Sequence, residues 1–252
     1  QGIAESVAPL SAPFAPFGRE MLALLLELRP PVVSFHFGPP DPDVVAALKA
    51  QGTRLLCSAT TVGEARQLEA AGFDAVIAQG WEAGGHRGAF ETTYEHVGIG
   101  TRALVPRNAD AVAIPVIAAG GIADGRGIAA AFALGASGVQ LGTAFLACPE
   151  SAASDLYRRM LRESDGGETR LSRAVSGRPA RARGTAYLAE MAKERTPLPA
   201  FPTMYSLASK ILEKGAEEGD PELLFLLYGQ AAPLNRELPA AELMETLVEE
   251  AQ

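Results

Sequence analysis

The chain has 252 residues, 48% of them hydrophobic and 21% charged, enough for one large core or a core with a small attached domain. Its net charge is −8 and its lysines are four, Lys49, Lys193, Lys210 and Lys214, so no basic stripe exists to neutralise a phosphate backbone and nucleic acid is excluded as a partner. No apolar run approaches membrane-span length and no charged, then apolar, leader opens the chain, which excludes a membrane protein.

Gln1, not Met, is the first residue, so the chain is read as processed, cut or incomplete. Residues 1–29 supply a Pro-rich entry and one helix, 19–28, but no strand. Five short apolar runs rich in β-branched residues follow, at 32–37, 54–58, 75–78, 115–119 and 138–141. Each reads as a strand covered on both faces. Helices lie between them. Residues 43–50 place Val44, Val45 and Leu48 on one stripe, ended by Gly52. Thr61-Val62-Gly63-Glu64 is a capping box, in which the hydroxyl takes the third-turn amide and the carboxylate reaches back; that helix runs to Gly72. Asp124 caps residues 125–134, and Gly135 is their left-handed terminator.

Strands and helices alternating at roughly twenty-residue intervals imply right-handed βαβ units and a parallel sheet. A (β/α)8 TIM barrel needs eight units; five strands also satisfy an open doubly wound sheet. Spacing alone leaves both open.

After Pro149 the pattern changes. Residues 151–166 read as a helix with Leu156, Met160 and Leu161 inward. A Gly/Arg-rich loop (176–184), a Pro-rich stretch (197–202), helices near 205–214 and 222–227, and an amphipathic helix at 239–249 follow. No strand alternation is read here. The expected organisation is a barrel over 1–154, a small α-helical cap over 155–234, and a C-terminal helix over 235–252 that returns to the barrel.

Fourteen of the 26 glycines fall between Gly72 and Gly142, where strands end. Ligand sites of parallel α/β folds lie at those carboxyl ends. Ala118-Ala119-Gly120-Gly121-Ile122 and Gln140-Leu141-Gly142-Thr143 close two successive strands. Gly120 and Gly121 admit close backbone approach, and Gly142 and Thr143 open a helix whose amides face an anion. Together they form a phosphate site that needs no lysine. One glycine pair alone would read as a tight turn without a ligand; two such turns one βα unit apart favour the phosphate, without saying which phosphorylated ligand.

The second constellation is Gln79-Gly80-Trp81-Glu82-Ala83-Gly84-Gly85-His86-Arg87-Gly88. Its glycines let a loop lie flat against a planar ligand. His86 suits proton transfer or stabilisation of an anion. Glu82 orients it or caps a helix, and Trp81 stacks or packs. His36 ends the first strand and either faces the same pocket or packs structurally. His96, after an acidic stretch, reads as solvated. The three histidines share no metal-ligand spacing, and no GxSxG elbow supports serine hydrolysis. Cys57 and Cys148 form no CxxC pair and read as reduced, buried thiols of a cytoplasmic protein. The arginines of residues 178–183 bind an anionic substrate or tie the cap to the barrel.

These motifs, with Val33-Ser34-Phe35-His36-Phe37-Gly38, Ser58-Ala59-Thr60-Thr61, Ser176-Gly177-Arg178-Pro179-Ala180-Arg181 and Tyr228-Gly229-Gln230-Ala231, resemble the nitronate monooxygenase (2-nitropropane dioxygenase) family, in order from about Pro30 onward. Glu82-Ala83-Gly84-Gly85-His86-Arg87-Gly88 is the most specific piece. The resemblance implies a TIM barrel holding FMN at its strand ends under a helical cap. It implies that the visible strands are strands four to eight, with about three βα units absent from the front. His86 matches the active-site histidine. Gly120, Gly121, Gly142 and Thr143 match the flavin phosphate loops, together with Gln140. Gln79, Gly84 and Gly85 match positions near the isoalloxazine, and Ser58 a strand end facing it. Tyr228, Gly229 and Gln230 match a stretch near the active site, and His36 joins the substrate candidates.

The activity so implied is oxidation of a small-molecule alkyl nitronate by molecular oxygen to a carbonyl compound and nitrite. Two alternatives are an NAD(P)H-dependent flavin reductase of quinones or enoyl thioesters, and a non-catalytic phosphate-ligand-binding fragment. A homo-oligomer is left open.

Overall fold

The structure, a computed structural model, describes residues 17–91 and 98–252. In chain order its elements are α1 (Arg19–Leu28), β1 (Val32–Phe35), α2 (Pro42–Ala50), β2 (Arg54–Ala59), α3 (Val62–Ala70), β3 (Ala75–Gln79), β4 (Gly85–His86), α4 (Thr101–Ala109) and β5 (Val116–Ala119). There follow α5 (Gly125–Ala133), β6 (Gly138–Gln140), α6 (Asp155–Arg162), β7 (Thr169–Ser172), β8 (Ala180–Arg183), α7 (Ala186–Met191), α8 (Thr203–Glu218) and α9 (Ala240–Glu250).

Five strands form one parallel sheet in the order β1-β2-β3-β5-β6. A doubly wound sheet reverses its strand order at a switch point. This sheet advances in one direction, as strands around a barrel do, which excludes the open alternative. All five residues of β3, at the centre, are buried, as continuous apolar strands covered on both faces require. Leu48, Leu55, Leu68 and Val76 pack into one core cluster. Leu104, Val116, Ile128, Leu243 and Leu247 pack into another, so α9 folds back onto α5 and the sheet. Each such side chain contributes about 1.5–3 kcal/mol by leaving water. Beyond the edge strands apolar side chains stay exposed: Leu24, Leu28 and Val32 on α1 and β1, Phe132, Met244 and Val248 on α5 and α9. No helix among the described residues is long and apolar enough to cross a membrane.

Local signals act much as expected. Asp124 accepts the Gly127 amide at 3.1 Å to start α5, and Gly135 takes φ +95° after its end. Thr61 accepts the Glu64 amide at 3.1 Å to start α3. Glu64 does not complete the box on Thr61, however. One carboxylate oxygen takes the Thr60 amide and hydroxyl at 2.6 and 2.7 Å, the other the amides of Phe90 and Glu91 at 2.7 and 3.1 Å. This buried carboxylate staples the chain beyond β4 to the start of α3. Helix α4 falls outside the sequence expectation, because Pro106 in its interior lacks the amide a helical ladder uses.

Beyond Pro149 the fold departs from an all-helical cap. β7 and β8 pair antiparallel, and β8 also pairs with β4, which leaves the parallel sheet to join them. Ala-Arg-Ala-Arg does not look like a strand, yet Ala180 and Ala182 are fully buried and Arg181 is 3% exposed. Hydrogen bonding of the guanidinium replaces the apolar side chain that sequence patterning looks for. The helix expected near 222–227 is a single 3-10 turn, Pro221–Leu223; Leu226 then offers its carbonyl to the Arg183 amide at 2.9 Å. The helix expected at 151–166 shortens to α6, capped by Ser154.

Candidate active site

A cavity opens at the carboxyl ends of the parallel strands. Its wall is built strand by strand: His36 after β1, Ser58 in β2, Ile77 and Gln79 in β3, Ala119, Gly120 and Gly121 at β5, Gln140, Gly142 and Thr143 at β6. Ala83, Gly84, Ile122, Gly229 and Ala231 complete it. Eight of the residues singled out for a cofactor therefore meet in one place: Ser58, Gln79, Gly84, Gly120, Gly121, Gln140, Gly142 and Thr143. Gly85 is not on this wall; it sits in β4 opposite Arg181. Ile77, Ala83, Ala119, Ile122 and Ala231 are lining residues that patterning did not single out, since apolar and small residues at strand ends read as core.

The loops after β5 and β6 present backbone. Gly120 and Gly121 adopt φ +98° and +73°. A Cβ on Gly120 would lie 2.9 Å from the Ala83 nitrogen, so only glycine fits. A Cβ on Gly142 would meet nothing within 4 Å. The amides of Gly121, Gly142 and Thr143 donate to no backbone carbonyl among the described residues. The helix expected after Gly142 is only a 3-10 turn, Thr143–Phe145, too short for a macrodipole, so the loop amides themselves are the donors. The Thr143 hydroxyl accepts the Gly229 amide at 3.0 Å and ties the C-terminal stretch to this loop.

Gly84 and Gly229 pack backbone to backbone: a Cβ on Gly84 would lie 2.4 Å from the Gly229 nitrogen, and one on Gly229 2.6 Å from the Glu82 carbonyl oxygen. Tyr228 and Gln230 do not reach the cavity. The Tyr228 ring is fully buried in another cluster and its hydroxyl donates to Glu168 at 2.8 Å; Gln230 is exposed. Burial, with Glu168 beside it, holds the Tyr228 hydroxyl well above the usual phenol range.

His86 and His36 divide the region between them. The His86 carbonyl accepts from Gln79 Nε2 at 2.9 Å and from His36 Nε2 at 3.2 Å. A carbonyl only accepts, so His36 carries its proton on Nε2, and Nδ1 accepts from the Ser58 hydroxyl at 2.9 Å. Gln79 Oε1 accepts the Gly88 amide at 2.8 Å. A Cβ on Gly88 would lie 2.8 Å from His36 Cε1, so this glycine makes room for the ring. His36 thus faces the cavity as a hydrogen-bonded group. Burial, then repulsion from Arg178 and Arg87, lowers its pKa, against the raising effect of the His86 carbonyl.

The His86 ring turns from the cavity wall toward residues beyond Pro149. Its Nε2 lies 2.7 Å from Ser176 Oγ. Phe37, Phe201 and Phe225 surround it at 5.8, 6.4 and 6.4 Å between ring centroids. Phe37 takes φ +71°, unusual for a bulky residue, and carries the Arg178 guanidinium 3.9 Å above its ring. Burial above all, then His36 and Arg178, lowers the His86 pKa to about 4. The imidazole is therefore neutral near pH 7 and keeps one unprotonated ring nitrogen.

The remaining motif residues are structural. Glu82 accepts the Thr101 amide at 2.9 and 3.1 Å and caps α4. The Trp81 ring carries the guanidinium groups of Arg87 and Arg181 at 5.5 and 5.8 Å from its centroid. Arg87 donates to the carbonyls of Gln79 and Gly80, and Arg181 to that of Trp81, so these buried cations fix the loop's backbone. Cys57 and Cys148 are buried free thiols, and burial raises that of Cys57 to about 12. His96 lies outside the described residues.

Against known proteins, the model of the nitronate monooxygenase family matches residues 6–250. The chain belongs to that family. It is 50% identical over 231 residues to a nitronate monooxygenase of Pseudomonas aeruginosa, covering 91% of this chain and 66% of that protein. It is 48% identical to one from Paraburkholderia phytofirmans, covering 91% and 63%. The chain thus spans about two thirds of the length of these curated relatives. Among solved structures, a nitroalkane oxidase from Streptomyces ansochromogenes matches with a TM-score of 0.86 at 47% identity, covering 92% of this chain and 67% of that one. FabK from Thermotoga maritima matches with a TM-score of 0.78 at 34% identity, covering 96% and 74%. Nitronate monooxygenases are TIM-barrel proteins, and the five-stranded sheet is an arc of that barrel.

Proposed function

We propose that the chain contributes the cofactor cavity and catalytic histidine of an FMN-dependent nitronate monooxygenase, which uses molecular oxygen to turn an alkyl nitronate into a carbonyl compound and nitrite. The observation that carries this reading is the meeting of glycine loops from two strand ends, with Ser58, Gln79 and Gly84, around one cavity beside His86. The named relatives of P. aeruginosa and P. phytofirmans support it.

The donor set fits FMN. Amides of Gly121, Gly142 and Thr143 suit its phosphate, and the open space beside Gly142 is where a side chain would intrude on it. Gln79 and Ser58, which line the same cavity, would face its ring system. When bound, FMN supplies the oxidation of the nitronate and the reaction with oxygen. The chain's part is orientation and proton transfer. A neutral His86 takes the carbon-bound proton of a nitroalkane, and the Arg178 charge over Phe37 favours the anion produced. Residues 155–234 act as the cap over that step, joined to the barrel through β4 and β8. Free thiols at Cys57 and Cys148 suit a cytoplasmic protein.

Purify the chain, record its visible spectrum with added FMN, release the ligand for mass determination, and assay nitrite from ethylnitronate. A flavin spectrum, the mass of FMN and nitrite release are the expected results. FAD in the released ligand overturns the cofactor assignment. Rapid bleaching by NAD(P)H with no nitrite from nitronates assigns a flavin reductase instead.

A further inference from the structure

We propose that Ser176 is a positioning residue that holds His86 in its Nε2–H tautomer and leaves Nδ1 as the ring's basic atom. The proposal rests on the reading of His86 as the proton acceptor. Ser176 is 1% exposed, and its Oγ lies 2.7 Å from His86 Nε2. That oxygen also donates to the Arg178 carbonyl at 3.1 Å and accepts the Arg178 amide at 3.2 Å. A hydroxyl has one proton. Spent on the Arg178 carbonyl, it leaves only lone pairs toward His86, and Nε2 must then carry hydrogen. The Arg178 carbonyl receives no other hydrogen bond among the described residues, so turning the hydroxyl to His86 would strand it.

The arrangement is built into the backbone. Gly177 between the two partners takes φ +84°, and a Cβ there would lie 2.4 Å from the Phe201 nitrogen. Its amide bonds the Arg173 carbonyl at 2.9 Å, closing the turn. Four residues on, Ala180 of β8 stands opposite His86 of β4, so sheet pairing fixes both backbones that carry the pair. The lowered pKa of His86 keeps the ring neutral at pH 7, the state in which a tautomer is defined. In the opposite tautomer Nε2 would be basic but occupied by the Ser176 hydroxyl, leaving no free basic nitrogen for a substrate proton.

The test labels histidine with 15N in the full chain bound to FMN and reads the ring nitrogens at pH 7, assigning His86 by its loss in His86→Asn. Protonated Nε2 and bare Nδ1 are expected. Ser176→Ala should move both signals toward the values of a tautomer mixture, and Ser176→Thr should restore them. In kinetics, Ser176→Ala should lower kcat/KM for neutral nitroalkanes by roughly tenfold, as loss of one hydrogen bond does, while sparing preformed nitronates. A wild-type His86 protonated on Nδ1, or signals indifferent to Ser176→Ala, overturns the proposal whatever the activity. Absence of any turnover of nitro compounds, with the tautomer as expected, overturns the functional reading and leaves the Ser176 hydrogen bond standing.

Discussion

The strand-end loops and the small β4-β8-β7 sheet both bring backbone close to the site, with opposite materials. In the loops the close approach is made by absence of side chains: Gly84 against Gly229, Gly120 against Ala83, Gly88 against His36. Around β4 and β8 it is made by long buried cations: Arg181 reaches from β8 to the Trp81 carbonyl at 2.8 Å, and Arg87, directly after β4, to that of Gly80 at 2.6 Å. Glycine contacts are rigid and admit no added atom. Guanidinium contacts are directional and lose one hydrogen bond at a time. The two regions should therefore respond differently to substitution.

The largest effect belongs to the loops. In Gly84→Ala the new Cβ lies 2.4 Å from the Gly229 nitrogen and 2.5 Å from the Tyr228 carbonyl carbon, backbone atoms that cannot step aside. A stability loss on the order of 4 kcal/mol is expected in urea unfolding. Gly142→Ala, with nothing within 4 Å of its Cβ, should stay within about 0.5 kcal/mol of wild type. Equal losses in the two variants would break the distinction between packed and open glycines.

The small sheet should give way more gradually. Arg181→Met removes donors to the Trp81 carbonyl and to Thr169 Oγ1 at 2.9 Å while filling most of the space. About 2–3 kcal/mol should be lost, since buried acceptors are left unpaired. A loss below about 0.5 kcal/mol would mean that β8 is held by its sheet pairs alone.

A further effect is a pH dependence centred on His86. Its folded pKa of about 4 is depressed below the ordinary 6.5 by burial, so the unfolded chain binds this proton more readily. The corresponding stability is complete above pH 6.5 and is lost as pH falls toward 4. His36, lowered for the same chief reason, adds in the same direction. Urea midpoints at pH 7.5 and 4.5 should differ less in His86→Asn than in wild type. An unchanged difference would place the ring in water.

Legibility in the sequence follows the same division. The five parallel strands are apolar on both faces, so composition alone marks them, and their ends collect the glycines that became the cavity wall. The strands of the small sheet were hidden because β8 buries arginine between alanines, and helix α4 because Pro106 lies within it. Among site residues, Tyr228 stands next to a lining position, Gly229, but its ring leaves in the opposite sense, which no linear motif records. The Ser176 contact with His86 spans 90 positions and depends on the β4–β8 pairing, so only the fold brings it into view.

Central to the account is the proposal that His86 acts as a base beside a cavity that it does not itself line and that would hold the flavin. The direct measurement is kcat/KM for a neutral nitroalkane and for its preformed nitronate in wild type and His86→Asn, at equal flavin content. A loss of about 10²–10⁴-fold on the nitroalkane with a much smaller loss on the nitronate is the expected result. Wild-type rates on both substrates with flavin bound would contradict it and move the proton transfer to His36, the imidazole on the cavity wall.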